Sequence, residues 1–404
     1  RAEGTPEWSG QGATAAQREP PKPRPRLRPQ PVRPERFLWA FPDQPPFDDE
    51  AKPMKNAPAV DSQGRLILCH QGRLVAVQER GGRPSVVWEY MIGSHVPGRV
   101  VVAADDTIRA HAGDGFLHAL TPAGKQLWSP AQVGEPLGWA APVVDASGAT
   151  WISAYDGGLI RVGPEGKTAR WFRSRSKLDS AAVIHGGVLY VGSEEGYVLA
   201  LALEAEKGVN LWSQAAEQGY TGSFVNSSPA LTDDGVLVVA SRAEMLFGFA
   251  PSGAMAWNTR LPGQVLGSPV IDRHGHMYVG VCQSERGQQA RGWLVCVDGN
   301  SHKVRWQYEA AGPVESTPAI GDDDLVYFGD NSGTIHAIDG RGLAAWTAKV
   351  ESPVRSAGTI FAPHRLAFGL DDDTLVVLEC PSTALCPAGW PKLGGTLGQS
   401  GLVE

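Results

Sequence analysis

The chain has 404 residues and a formal net charge of −7, which argues against a general nucleic-acid binder. Its 42% apolar and 20% charged residues exclude a disordered chain. No apolar run is long enough for a transmembrane helix, and the 49 Gly and 31 Pro announce many turns.

Residues 1–36 read as an arm. No apolar leader region and no N-terminal Cys stand at its start. From Arg18 to Arg36, "REPPKPRPRLRPQPVRPER" carries seven Pro, seven basic residues and two acids. Proline on this scale bars a helix or a central strand, so an extended, polyproline-like segment is expected. It reads either as a linker or as a tether whose Arg24, Arg26 and Arg28 dock on an acidic or aromatic groove of a partner protein.

Residues 37–404 read as one repeat domain. Trp recurs at 39, 88, 128, 171, 212, 257, 306, 346 and 390, a period of about 40–50 residues. Trp8, Trp139, Trp151 and Trp293 lie off this grid. Each unit opens on a small residue, often with Pro ("APAV" at 57, "SPVI" at 268, "TPAI" at 317). A turn follows ("DSQG", "TDDG"), then a second strand ("RLILC", "LVYFG"), a second turn ("HQG", "NSG") and a third strand ("RLVAV", "TIHAI"). A last turn ("TPAGKQLW", "APSGAMAW") leads to the Trp. Short β-branched runs between Gly/Asp/Asn/Ser turns, with no sustained 3.6 period, predict four-stranded antiparallel units. Eight copies at this spacing predict an all-β, eight-bladed β-propeller.

The Trp is expected to lock neighbouring blades. A column of mostly small third-strand residues (Ala76, Ala119, Arg161, Ala200, Gly248, Cys296, Ala337 and Val377) is read as a row of sockets for indoles of the opposing blade. Arg161 breaks the column. A turn carbonyl at the blade edge is the natural acceptor for each indole N–H. "RFLWAF" (36–41) carries a grid Trp with no strands before it. It is read as the outer strand of the last blade, with the opposite closure left open. The segment after Trp390 is then a surplus strand piece or a cap.

This grammar resembles the PQQ-like (quinoprotein-type) β-propeller repeat family over about residues 37–400. "VLYVGSEEGYVLALALEAEKGVNLW" (188–212) and "LVYFGDNSGTIHAIDGRGLAAW" (325–346) carry the likeness. The resemblance implies tryptophan docking between blades and one of two functions. One branch binds pyrroloquinoline quinone and oxidises alcohols or sugars. The other is cofactor-free and serves as a scaffold, like the BamB-type propeller of outer-membrane assembly. The ending "AGWPKLGGTLGQSG" (388–401) is similar to tails of the second branch.

Quinone chemistry would need Ca²⁺ on oxygen ligands, an Asp base, Arg or Lys on the quinone oxygens, and a planar floor and ceiling. The resemblance implies an adjacent Cys–Cys ceiling for the alcohol-oxidising branch, and this chain has none. The five cysteines (Cys69, Cys282, Cys296, Cys380 and Cys386) lack metal spacing. They are read as buried thiols, with Cys380–Cys386 or Cys282–Cys296 pairing left open. The acidic runs Asp322–Asp324, Asp371–Asp373, Asp105–Asp106 and Asp233–Asp234 fall where the repeat needs turns. His118 and His336 share one repeat position and are read as surface or interblade hydrogen-bonding groups. No catalytic, cofactor or metal residue is therefore expected.

Two inserts exceed the minimal repeat: 283–292, with Arg286 and Arg291, and 213–226, with Tyr220 and Phe224. Loops on rigid scaffolds carry binding, so these four residues are candidate partner contacts. The expectation is a non-catalytic protein–protein interaction scaffold in a larger bacterial, envelope-associated assembly. Its partners would be other protein subunits, with no nucleic acid. The alternative is a dehydrogenase using PQQ with Ca²⁺, or a small-ligand or carbohydrate-binding sensor. The resemblance implies the periplasm or the exterior; the unpaired cysteine pattern leaves the cytoplasm open.

Overall fold

Every repeat folds as four antiparallel strands, because each apolar run is only long enough to cross a sheet once before Gly and Asp turn it back. The computed structural model describes residues 35–42, 54, 57–134, 140–178, 180–204, 209–215, 225, 227–284, 289–395 and 402–403. Eight such sheets form an eight-bladed β-propeller, and the strands of each blade run from the ring axis outward. Blade 1, for instance, is Ala59–Val60, Leu66–His70, Arg73–Arg80 and Arg83–Met91. Blade 7 is Ala319–Ile320, Val326–Gly329, Thr334–Ile338 and Ala344–Lys349. Blade 6 gains a short extra strand, Gln264–Val265, on the inner side of Met277–Gln283.

The last blade is built from both parts of the chain. Thr359–Ala362, Arg365–Gly369 and Leu375–Glu379 supply its three inner strands, and Phe37–Phe41 supplies the outer one. Trp39 lies opposite Val377 in that pairing. The early strand therefore closes the ring, as its orphan Trp suggests.

The core lies between blades. Second and third strands are almost wholly buried, as in Val326–Gly329, while outer strands such as Val304–Glu309 alternate between half-buried and exposed side chains. One apolar cluster joins Val60, Leu66 and Val77 of blade 1 to Trp39, Leu375 and Val377 of blade 8. Each fully buried aliphatic side chain contributes roughly 1.5–3 kcal/mol, so every interface is a substantial core. The small–Pro opening of the repeat also has a packing reason. Ser180, Ser227, Ser316 and Ser356 each bond the end of the neighbouring second strand, as Ser316 Oγ does to Gly329 O at 2.8 Å. These locks hold the link between blades.

Candidate functional site

The docking tryptophans set the rigid frame. Ala76, Ala119, Ala200, Gly248, Cys296 and Ala337 lie directly opposite Trp88, Trp128, Trp212, Trp257, Trp306 and Trp346 in their own sheets. The expectation that this column forms sockets on the opposing blade is thus corrected. It is a shelf beneath the indole: a Cβ added to Gly248 would come within 2.2 Å of Trp257.

The socket is the glycine of the next blade's last turn. Gly124, Gly166, Gly253 and Gly342 face Trp88, Trp128, Trp212 and Trp306, where a Cβ would come within 2.4–2.8 Å of the rings. These glycines sit at φ of 73–85°, so both the conformation and the contact require glycine. Trp88, Trp212 and Trp306 donate their N–H to Pro122, Pro251 and Gly340 carbonyls of the same turns.

The remaining joints differ. Trp39 donates to Glu79 of blade 1. Trp346 lies under the guanidinium of Arg36, 5.1 Å from the ring centre, because blade 8 has no last turn of the usual kind. In blade 3, Arg161 faces Ala169, and Trp171 packs edge-on against Trp151 at 4.8 Å. Trp390 departs from the grid expectation: it belongs to no outer strand, since Phe37–Phe41 already holds that place.

Instead, Trp390 anchors a C-terminal strap. After Glu379 the chain runs along the first turns of blades 8, 7 and 6. His364 N donates to Ser382 O, Cys386 N to Ile320 O, and Trp390 exchanges both backbone bonds with Ile271. Thr383 N and Oγ1 bond the Asp322 carboxylate. Leu402–Val403 pairs in parallel beside Val183–His185 on the inner edge of blade 4. The protein's own C-terminal segment therefore lies along the first turns of three blades at one end of the ring.

The strap also sends Lys392 inward. Its Nζ donates to Thr359 Oγ1 at 2.7 Å, and the side chain is fully buried. Burial, then the nearby Arg99 guanidinium, pushes this amine down to about 7. Arg99, also buried, reaches Ser228 Oγ at 3.5 Å and is itself held down to about 10 by burial. Around them runs a collar of hydroxyls at the starts of inner strands. Ser228 N bonds Ser268 Oγ, Ser268 N bonds Thr317 Oγ1, and Thr359 Oγ1 bonds Pro58 O.

The strands that flank the inserts end opposite the first and last turns: Gln283 closes a second strand, Arg291 opens a third, and Ala215 closes an outer strand. Arg291 opens the strand Arg291–Val297, pairs with Glu309 through Nε at 3.0 Å and Nη2 at 2.7 Å, and lies 4.9 Å over Trp293. Arg286, Tyr220, Phe224, Arg24, Arg26 and Arg28 lie outside the described residues.

Other candidate chemistry resolves into structure. His336 bonds Asp330 at 3.0 Å and Tyr308 of the neighbouring blade at 3.2 Å. Burial raises the Asp330 carboxyl, but bonds from His336, Ser332 and Thr334 outweigh it, and the net shift is downward. His118 meets Tyr90 at 3.5 Å in the equivalent interblade place. The five cysteines form no disulfide with one another; burial pushes Cys296 and Cys380 up to about 12 and Cys282 to about 11. Among the described residues, no three His, Cys, Asp or Glu come together as a metal site.

The family model described as outer membrane protein assembly factor BamB matches residues 200–288 and 274–383. The chain resembles the BamB-type PQQ-repeat propellers. Outer membrane protein assembly factor BamB of Burkholderia pseudomallei is 25% identical over 259 residues. That match covers 61% of this chain and spans 64% of the relative's own length. The crystal structure of BamB from Moraxella catarrhalis superposes with a TM-score of 0.63 at 16% identity, over 81% of this chain and 97% of that one. The quinohemoprotein alcohol dehydrogenase of Comamonas testosteroni gives 0.68 at 13% identity, over 87% and 77%. The BamB-like propeller thus shares its fold with a redox enzyme as well as with assembly factors.

Proposed function

We propose that this BamB-like propeller is a non-catalytic interaction scaffold, a subunit of an envelope-associated, outer-membrane assembly. The observation that carries the reading is the division of labour between the two ends of the ring. The strap lies along the first turns of three blades at one end, and the strands that flank both inserts end at the other. A ring of docked blades suits the presentation of binding loops. The partners are other protein subunits, engaged through those loops and the N-terminal arm. The relation to BamB proteins favours a periplasmic location, and no helix among the described residues is long and apolar enough to cross a membrane.

Support for a cofactor-free channel comes from its neck. Calcium takes six to eight oxygen ligands, carboxylates prominent among them. The neck offers hydroxyls and the buried Lys392 amine beside the Arg99 guanidinium, whose charge would repel a divalent cation. The strap's carboxylate neighbours are already engaged: Asp322 with Thr383, and Asp323 with Tyr327 and Ser382. These residues do not fit a quinone–calcium pair.

A photo-crosslinking residue at Arg291, compared with one at Arg341 in a last turn of the opposite end, tests the scaffold reading in envelope fractions. A discrete protein adduct at 291 and none at 341 is expected. Equal labelling at both ends, or none, overturns it. Incubation with PQQ and Ca²⁺ is expected to give no dye reduction with alcohols or sugars; turnover would favour the enzyme.

A further inference from the structure

The collar of the channel holds more hydrogen-bond donors than acceptors. Ser228, Ser268 and Thr317 share one repeat position, two residues before the inner strands that begin at Ala230, Val270 and Ala319. Blade 2 puts Arg99 at that position, two residues before Val101, and its guanidinium reaches across to Ser228 of blade 5. All four residues are 7% exposed or less. Each hydroxyl oxygen already receives a bond: from Arg99 Nη1 to Ser228 Oγ at 3.5 Å, from Ser228 N to Ser268 Oγ at 2.9 Å, and from Ser268 N to Thr317 Oγ1 at 2.9 Å. Each hydroxyl therefore keeps its own hydrogen to give. Among the described residues, none of the three has an acceptor for it.

Lys392 adds to the excess. Its amine spends one hydrogen on Thr359 Oγ1, and Thr359 is itself committed to Pro58 O. Among the described residues no carboxylate pairs with this fully buried amine. Burial, and then the neighbouring Arg99, holds it down to about 7, as expected of a cation without a counter-charge. The collar is approached from the end away from the strap. Glu315 stands two residues outward of Thr317, and Arg355 stands at the same place in blade 8. They pair at 3.4 Å and each side chain is 29% exposed, so solvent reaches the wall one step from the collar.

We propose that the channel neck binds a small oxyanion, a phosphate or a carboxylate group, between the hydroxyls of Ser228, Ser268 and Thr317 and the amine of Lys392. Hydroxyls on three consecutive blades suit a group with several acceptor oxygens, and donors beside a positive charge make the stronger bonds. A cation is repelled by Arg99. A neutral polyol would bring further donors to a collar that lacks acceptors. The site is independent of the scaffold role, and each can fail without the other.

Thermal unfolding of the whole chain at pH 6, in a phosphate-free buffer, tests the site against rising phosphate, sulfate or acetate, with sodium chloride at matched ionic strength. At least one of the three is expected to raise the melting temperature by several degrees beyond sodium chloride, at concentrations up to about 10 mM. Lys392→Met should weaken the apparent affinity about tenfold or more, the loss of a charge-assisted bond. Thr317→Val keeps every charge and should still weaken it several-fold, which screening alone would not do. Acetate set against phosphate and sulfate decides between a carboxylate and a tetrahedral oxyanion. No gain beyond sodium chloride with any of the three overturns the proposal. So does a gain that is unchanged in Lys392→Met or in Thr317→Val.

Discussion

The indole N–H of Trp39 donates to the Glu79 carboxylate at 3.0 Å, across the seam where the ring closes. Arg365 grips the same carboxylate with Nε at 2.7 Å and Nη2 at 2.9 Å. Blade 8 supplies the Trp and the Arg, and blade 1 supplies the Glu. At Trp88, Trp212 and Trp306 a turn carbonyl serves this purpose; at the seam a charged clasp replaces it.

Glu79→Ala is therefore expected to weaken closure more than loss of an ordinary surface pair. The clasp is partly solvent-exposed, so the expected cost is about 2 kcal/mol, below the range for a fully buried pair. Thermal unfolding of the variant checks this. A melting temperature equal to the parent's would show that the apolar seam closes the ring alone.

Acid should loosen the protein through specific carboxylates. The Arg365 bond holds Glu79 below its usual value against the opposing effect of burial. Asp330 is also lowered, by bonds that overcome its burial. A carboxyl depressed in the folded state contributes stability that is complete above its unfolded value and is lost as pH falls through its folded value. Stability should hold from neutral pH to about 5 and decline below it. Asp330→Asn should shallow that decline in urea titrations at a series of pH values; an unchanged slope would assign acid sensitivity elsewhere.

Lys392 has the opposite signature. Its folded amine is pushed down to about 7, well below the unfolded value. The unfolded chain then binds the extra proton between about pH 7 and 10, so this group makes stability rise with pH across that window. Lys392→Met is expected to flatten the rise and to raise the melting temperature by several degrees at pH 6, since an apolar side chain has no charge to desolvate. A variant less stable than the parent at pH 6 would mean that the Thr359 bond outweighs desolvation.

The two kinds of tryptophan can be separated. Trp346→Ala should cost about 3 kcal/mol or more through the cavity left at a blade joint. Trp390→Ala should cost a similar amount by loosening the strap it seats against Ile271, and the two losses should add, because the residues serve separate joints. Unfolding of the double change distinguishes additive from shared losses.

The ring was legible because the same grammar is written eight times, and its closure because "RFLWAF" carries a Trp without its own blade. The sockets were not read from Gly124, Gly253 or Gly342, though each stands four residues ahead of a Trp. A glycine in a turn already has a local explanation, and its contact with the preceding blade's indole is a property of the assembled ring. The strap had no repeat to announce it. Its backbone pairs with Ile271 and Gly321 use groups that every β-segment possesses.

The eighth blade has a temporal consequence. Its outer strand and the partner it pairs with, at Trp39 and Val377, are more than three hundred residues apart. Such a contact carries the largest loop-closure entropy in the molecule, so the seam should form late, after most blades have stacked. Until then the flanks of blades 1 and 7 are open apolar surfaces, able to receive a blade from another chain. A single clasp of Trp39, Glu79 and Arg365 then decides between a closed ring and an exchanged one.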